Sequence, residues 1–191
     1  GGFSVTGDGE MTGTTHANGL IVLGNWRSAG SRFNNADGKV IFKGTSGGTI
    51  AMNGAGGTGE GFYDVEINIA GQTYTVSEWD LTGIERNLTI TAGTLTTDAS
   101  NDRALTVTGD CYVAGTLTGN ASAVSLGSLE VASSGKYNAT SGTTTITAED
   151  AVTGYAWDVN GTDSFDNNDG TVLFDLGSGV DSAIRTGQAD G

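Results

Sequence analysis

The sequence predicts an all-β protein built as a parallel β-helix, that is, a β-solenoid of short coils. Three observations lead there: short apolar strands alternate with turn residues, one strand-and-glycine phrase recurs at nearly even spacing, and the chain has 33 glycines but no proline. A repeat of about 20 residues is typical of one solenoid coil, which buries its apolar face on the next coil. A β-sandwich or jelly roll remains the alternative, because it also explains evenly spaced strands.

Apolar alternation marks ten strands, which are separated by glycine, asparagine and aspartate turns. The strands are Leu20–Leu23, Val40–Phe42, Val65–Ile69, Leu88–Ile90, Leu105–Val107, Tyr112–Leu117, Val124–Leu126, Leu129–Val131, Thr144–Ile146 and Val172–Phe174. Helix is nearly excluded, since glycine or a β-branched residue interrupts almost every window of three turns. The best short helical candidates are Ser77–Ile84 and Glu149–Gly154.

The recurring phrase lies in the middle of the chain, where an apolar-x-apolar strand precedes a glycine and a second strand. Its copies are Leu88-Thr-Ile90 with Gly93-Thr-Leu95, Leu105-Thr-Val107 with Gly115-Thr-Leu117, and Leu129-Glu-Val131 with Gly135-Lys-Tyr137. Successive side chains of a strand point to opposite faces, so the two apolar residues share one face and the middle residue takes the other. We therefore predict that threonines line the outside and that six residues point inward: Leu88, Ile90, Leu105, Val107, Leu129 and Val131.

A longer-range echo links the two ends of the chain. Segment 33–42 (FNNADGKVIF) matches segment 165–174 (FDNNDGTVLF), and each copy follows a tryptophan, Trp26 or Trp157. Equivalent placement favours a repeated packing role, so we expect these tryptophans in the core or at coil corners.

Sugar stacking is the alternative role for the three tryptophans, Trp26, Trp79 and Trp157, since Arg27 and Arg32 flank the first of them. We favour packing, because the first and third tryptophans occupy equivalent places before the two matching segments, 33–42 and 165–174.

The charge balance excludes several kinds of partner. With 8 basic and 22 acidic residues the formal net charge is −14, so phosphate backbones and anionic lipid surfaces would repel the chain. No run of about 18 apolar residues predicts a membrane-spanning helix.

The sequence also bears on targeting and domain organisation. We expect no targeting signal, since none is recognisable from Gly1 onward. We treat residues 1–191 as one module, either whole or a fragment of a longer chain.

Residues with catalytic or metal-binding chemistry are scarce. His16 is the single histidine and Cys111 the single cysteine, which excludes an intrachain disulfide and a multi-cysteine zinc site. We predict that His16 lies on the surface or in a turn and that Cys111 is a buried packing residue. No catalytic, cofactor-binding or metal-ligating residue is assigned.

The acidic residues near the C-terminal end form the densest candidate set. Most glycoside hydrolases need two carboxylates, and calcium takes six to eight oxygen ligands. The helix-loop-helix calcium template does not fit, because Gly170 would make Phe165 its first position and Leu176 its twelfth. Turn formation already explains Asp169, which matches Asp37 in the other copy. We therefore expect solvated turn acids and leave calcium binding open; the set is Asp158, Asp163, Asp166, Asp169 and Asp175.

Glycine- and threonine-rich strands fill the run from Trp26 to Leu117. The features that define it are Trp26, Phe33, Asp37-Gly38, Val40-Ile-Phe42, Gly44, Thr49-Ile50, segment 62–68 (FYDVEIN) and segment 87–95 (NLTITAGTL). This run resembles the β-strand repeats of bacterial surface adhesins and of structural proteins of tailed bacteriophages. The resemblance implies a parallel β-helix and an architectural role, and it carries no catalytic motif.

We therefore expect a non-enzymatic structural component of a virion, as a tail, fibre or capsid decoration protein of a tailed bacteriophage. A bacterial extracellular adhesin or surface-layer repeat is the second hypothesis, and a polysaccharide-degrading tailspike fragment is the third. The expected location is the virion or an extracellular surface, and no cofactor is expected.

The expected partners are sister subunits in a homotrimer, a state implied by the resemblance, and other virion proteins; host-surface glycans stay open. Because the copies are acidic, we expect an apolar contact or one that sets basic side chains against the acidic C-terminal region. Those basic residues are Arg27, Arg32, Lys39 and Lys43.

Overall fold

The computed structural model describes residues 3–5, 11–12, 19–28, 33–52, 61–177 and 183–187, and these residues form strands, turns and loops without a helix. In chain order the strands are β1 (Phe3–Val5), β2 (Met11–Thr12), β3 (Leu20–Val22), β4 (Trp26–Ser28), β5 (Phe33–Asn34), β6 (Lys39–Lys43), β7 (Gly48–Met52), β8 (Asp64–Val76), β9 (Leu81–Ile84), β10 (Leu88–Thr96), β11 (Leu105–Val113), β12 (Thr116–Thr118), β13 (Val124–Val131), β14 (Lys136–Asn138), β15 (Thr143–Ile146), β16 (Tyr155–Val159), β17 (Phe165–Asp166), β18 (Thr171–Phe174) and β19 (Ala183–Thr186). All pairings between these strands are parallel. The prediction of a β-solenoid is confirmed, with about 7 turns.

The strands stack in three columns, which are the three faces of the solenoid. Face 1 contains β3, β6, the first halves of β8 and β10, the second halves of β11 and β13, β16 and β19. Face 2 contains β1, β4, β7, the second halves of β8 and β10, β12, β14 and β17. Face 3 contains β9, the first halves of β11 and β13, β15 and β18. The pair β2–β5 forms a separate short ladder.

In-register ladders of apolar side chains fill the centre. On face 1 one ladder runs Leu20, Val40, Val65, Leu88, Cys111, Leu129 and Trp157, and a second runs Val22, Phe42, Ile67, Ile90, Val113, Val131 and Val159. All six residues predicted to point inward are at most 1 % exposed. That prediction is confirmed, and it follows from the two-residue period of the strands.

Coil length varies although the register on face 1 is kept. The shortest coil runs from Cys111 to Leu129, and the longest follows it directly, from Leu129 to Trp157. Much of the extra length lies in residues 147–154, between β15 and β16 and outside the ladders. Insertions are therefore absorbed at a corner of the solenoid rather than within its sheets.

Glycines at two corners allow neighbouring coils to approach closely. A Cβ atom added to Gly93, Gly115 or Gly135, at the corner between faces 1 and 2, would lie 2.0–2.4 Å from a backbone carbonyl oxygen of the preceding coil. The same holds at 2.4–2.5 Å for Gly109 and Gly127, at the corner between faces 3 and 1. Close packing of the backbone thus requires glycine at these corners.

Neither short helical candidate forms a helix. The first contains β9, whose Leu81 pairs with Leu105 on face 3. The second is a turn in which the Asp150 carboxylate accepts hydrogen bonds from the N–H groups of Val152 and Thr153, at 2.8 Å and 2.6 Å. In the first candidate, pairing with the next coil overrides the weak local preference for helix. The second candidate lies outside the ladders, and its backbone N–H groups bond to the Asp150 side chain instead.

The two matching segments form the same turn. Ala36 and Asp37 have φ angles of 48° and 57°, and Asn168 and Asp169 have the same two values. In each copy the following glycine N–H donates to the asparagine carbonyl three residues earlier, at 2.9 Å and 2.8 Å. Positive φ at both central residues defines a type I′ turn. The prediction that turn formation explains Asp169 is confirmed.

The two copies also share an aromatic contact, but on different faces. The rings of Trp26 and Phe33 meet at 4.9 Å and 82°, and those of Trp157 and Phe165 at 5.0 Å and 89°. Both tryptophans are buried, which confirms their predicted packing role. However, Trp26 lies in β4 on face 2 and Trp157 lies in β16 on face 1. The second copy is therefore rotated by one face around the solenoid axis.

Candidate functional site

The lone cysteine is a core residue. Cys111 is 1 % exposed between Leu88 and Leu129 of the face 1 ladder. Burial, with a smaller effect of the neighbouring Asp110 carboxylate, raises the pKa of its thiol to about 12. A thiol held in the protonated form is a poor nucleophile, so the prediction of a packing role is confirmed. His16 and Arg32 lie outside the described residues.

Asp158 is not the solvated turn acid that the sequence predicts. It lies in β16 with its side chain 3 % exposed, and its carboxylate accepts hydrogen bonds from Nε of Arg185, at 2.8 Å, and from Nη2 of the same residue. The Arg185 guanidinium also lies 4.6 Å from the centre of the Tyr155 ring. The expectation was wrong because the cation lies in the next coil, far from Asp158 along the chain.

An open hollow of about 610 Å³ brings two other candidate carboxylates together. It is lined by Lys136, Asp163, Phe165, Asp166 and Asn167. Both Asp163 and Asp166 are exposed, and Oδ1 of Asp166 accepts a hydrogen bond from the next turn at 3.1 Å. Both carboxylates are therefore open to solvent at the surface of this hollow.

Metal ligands are not gathered at one point either. Among the described residues, no group of three or more histidine, cysteine, aspartate or glutamate side chains is placed to hold a metal ion. Asp169 and Asp175 are exposed and do not line the hollow.

The described residues also contain no helix that is long and apolar enough to cross a membrane.

Many other carboxylates hold neighbouring coils together. Glu66 on face 1 accepts hydrogen bonds from Nζ of Lys39 at 3.2 Å, Nδ2 of Asn68 at 3.1 Å and Oγ1 of Thr91 at 3.4 Å. Asp110 accepts one from Oγ of Ser128 in the next coil, at 2.8 Å. These carboxylates therefore link side chains of neighbouring coils.

Two of the basic residues expected to face a partner already have acidic partners in their own chain. Lys39 pairs with Glu66 as described, and Nε of Arg27 lies 2.9 Å from a carboxylate oxygen of Glu78. The Arg27 guanidinium also lies 4.9 Å from the centre of the half-buried Trp79 ring, at the corner between faces 2 and 3. Trp79 is thus a corner residue that is covered by an arginine.

Three charged residues form one outward row on face 1. Glu130, Asp158 and Arg185 occupy the same register in three successive coils. Burial raises the pKa of Glu130, and the carboxylates of Asp158 and Asp150 raise it further, while Arg185 opposes them. Glu130 is therefore an acid whose ionisation costs stability in the folded state.

We expect Glu130→Gln to raise the melting temperature at pH 7. Because the folded-state pKa is above the unfolded value, the folded state binds more protons and loses stability as pH rises through the glutamate range. Glutamine removes that loss. At about pH 3.5, below the ordinary glutamate pKa, both states are protonated and the two proteins should melt alike. Calorimetry at both pH values tests this, and an equal gain at both would contradict it.

Sequence reasoning missed the Asp158–Arg185 pair and the arginine contacts with Trp79 and Tyr155. An arginine one or two coils away from an acid or aromatic residue is a usable signal once coil boundaries are known. No family model, curated protein or solved structure matches this chain.

Proposed function

We propose that this protein is a non-enzymatic structural module of a virion, as a tail, fibre or capsid decoration protein of a tailed bacteriophage. The observation that supports this proposal best is the unbroken apolar core, which runs through successive coils on face 1 from Leu20 to Val159. A chain organised in this way serves as a stiff spacer. At about 4.8 Å per coil, seven turns extend roughly 34 Å along the axis.

Parallel pairing between coils makes this spacer stiff. From β9 onward, neighbouring coils are joined by backbone hydrogen bonds on three faces and by side-chain ladders inside. Pulling one coil away breaks these bonds together, and protease cleavage requires a locally opened strand. The carboxylates that accept hydrogen bonds within turns and between coils also keep the surface charged, which favours solubility.

Association with sister subunits, as a homotrimer, is part of this proposal. At the C-terminal end of the described chain, β17, β18 and β19 each pair with one strand only, and such edges invite further pairing. Ile184 continues the inward ladder after Trp157 but is 55 % exposed. Light scattering at low and high salt tests this part: a trimer in both supports it, and a stable monomer in both contradicts it.

The decisive experiment determines whether the protein is a component of virus particles. Purified virus particles from the source of the sequence should contain this chain in fixed stoichiometry with the known capsid or tail proteins, measured by quantitative mass spectrometry. Detection on bacterial envelopes and not on particles would favour the adhesin instead.

Hydrolysis of polysaccharide distinguishes the third hypothesis, the tailspike fragment, from the two structural hypotheses. Reducing ends should not appear when the purified chain is incubated with bacterial capsule or lipopolysaccharide. Release of oligosaccharides that Asp163→Asn or Asp166→Asn abolishes would establish a hydrolase, since these are the carboxylates that line the hollow.

A further inference from the structure

Threonines on the outside of face 2 form a two-dimensional grid. One row runs Thr73, Thr94 and Thr116, and a second, two residues along each strand, runs Thr49, Thr75, Thr96 and Thr118. The residues between the two rows, Tyr74, Leu95 and Leu117, point inward and are at most 1 % exposed. The buried residue in each strand thus fixes both threonines on the outer surface.

The register of this grid is maintained although the coils differ. Between faces 1 and 2, β8 takes the longer path from Asn68 to Thr73, where β10 runs only from Ala92 to Thr94. The extra residues of β8 bulge at the corner, where Gly71 has a φ of 72°. The threonines beyond the bulge are again in register, so the irregularity stays outside the grid.

Most hydroxyls of the grid are available to a ligand. Within the described part of the chain, Oγ1 of Thr73, Thr94 and Thr116 makes no hydrogen bond, and the side chains are exposed or half-buried. In the second row, side-chain amides of Asn120 and Asn138 donate to Thr96 and Thr118, at 2.9 Å and 3.2 Å. One row is thus free while the other is partly fixed from the side.

The grid is also uncharged, in a chain of net charge −14. Among the described strand residues of face 2, none with an ionisable side chain faces outward between Gly48 and Thr118; Arg27 precedes this stretch and Lys136 follows it. A neutral face of this kind does not attract ions, phosphate or a charged protein surface. Its regular hydroxyl and methyl groups fit a ligand that is itself neutral, flat and periodic.

The repeat of the grid identifies such a ligand. Rows of neighbouring strands are about 4.7–4.9 Å apart, and residues two apart along a strand are separated by about 6.5–6.8 Å. Water oxygens on the prism surfaces of hexagonal ice repeat on a rectangular grid of similar dimensions. We propose that the threonine grid of face 2 binds ice, by ordering water between its methyl groups and anchoring it through its hydroxyls.

Ice binding is tested with the whole protein by thermal hysteresis and by inhibition of ice recrystallisation. The wild-type protein should show both activities. Thr94→Tyr should lose most of them, because a bulky ring at the centre of the grid lifts the surface away from the ice lattice. Thr145→Tyr is the matched control, since Thr145 is an equally half-buried outward threonine on face 3. It should retain wild-type activity.

Circular dichroism and melting temperature establish that both tyrosine variants fold. Thr94→Val keeps the methyl group and should lose less activity than Thr94→Tyr. Absence of ice activity in the folded wild-type protein would overturn the proposal. So would equal losses in both tyrosine variants, or evidence that the grid instead buries itself against a second copy. This inference does not depend on the proposed virion role, because particle stoichiometry and ice activity are measured separately.

Discussion

Replacing Trp26 with alanine should destabilise the fold by about 3–5 kcal/mol, the usual cost of removing a large aromatic side chain from a core. Trp26 is fully buried, and its ring lies 4.9 Å from that of Phe33 and 5.2 Å from that of Phe62. Phe42 also contacts this ring, so three segments of the chain surround it and the cavity cannot collapse without moving several coils. Urea denaturation followed by circular dichroism measures the loss.

Trp79→Ala is the matched control for this experiment. Its ring is half-buried at a corner, and Arg27 covers it at 4.9 Å. An exposed cation–π contact is worth about 0.5–1 kcal/mol, so the loss should be much smaller than for Trp26→Ala. Similar losses in the two variants would show that the aromatic cluster around Trp26 is not a centre of stability.

Gly135→Ala should cost about 3 kcal/mol, at the upper end of the ~1–3 kcal/mol range for overpacking a tightly packed site. The added Cβ atom would lie 2.0 Å from the carbonyl oxygen of Val113 and 3.2 Å from Cγ1 of Val131. The closest obstacle is backbone of the preceding coil, which cannot rotate away as a side chain can. Relief requires two coils to separate at the corner between faces 1 and 2.

Gly142→Ala provides the control for glycine replacement itself. There the nearest atoms are Oγ1 of Thr140 at 3.3 Å and the carbonyl oxygen of Ala121 at 3.4 Å. We expect stability within about 0.5 kcal/mol of wild type, because no strong clash arises and alanine restricts the unfolded chain. If both alanine variants unfold at the same urea concentration, close coil approach does not limit stability.

Much of the fold follows from local sequence. The Leu-x-Val type of strand dictates which side chains point inward, and glycine with asparagine or aspartate marks the turns. Leu88, Ile90 and Val107 could therefore be placed from the sequence, and the recurring phrase favoured a solenoid over a sandwich. These features depend on residues close together along the chain, where the physics of a single strand or turn is sufficient.

Contacts between coils could not be placed in the same way. The Asp158–Arg185 pair and the Trp26–Phe62 contact depend on how many residues each coil uses, and that number differs widely even between the adjacent coils on either side of Leu129. If the coil length assumed from the sequence is wrong by one residue, the predicted side-chain neighbours are wrong as well. For the same reason the sequence indicated outward threonines but not that seven of them align on one face.

The one-face rotation of the second aromatic copy has a consequence for how such a chain can evolve. The offset between the copies, from Phe33 to Phe165, does not correspond to a whole number of turns, yet the turn and the Trp–Phe contact are reproduced in both places. The structure of the matching segments is thus set by their own sequence and not by the face of the solenoid on which they lie. A segment as short as one side of a coil is therefore compatible with more than one face of the solenoid, so a duplicated copy need not keep the face of its original.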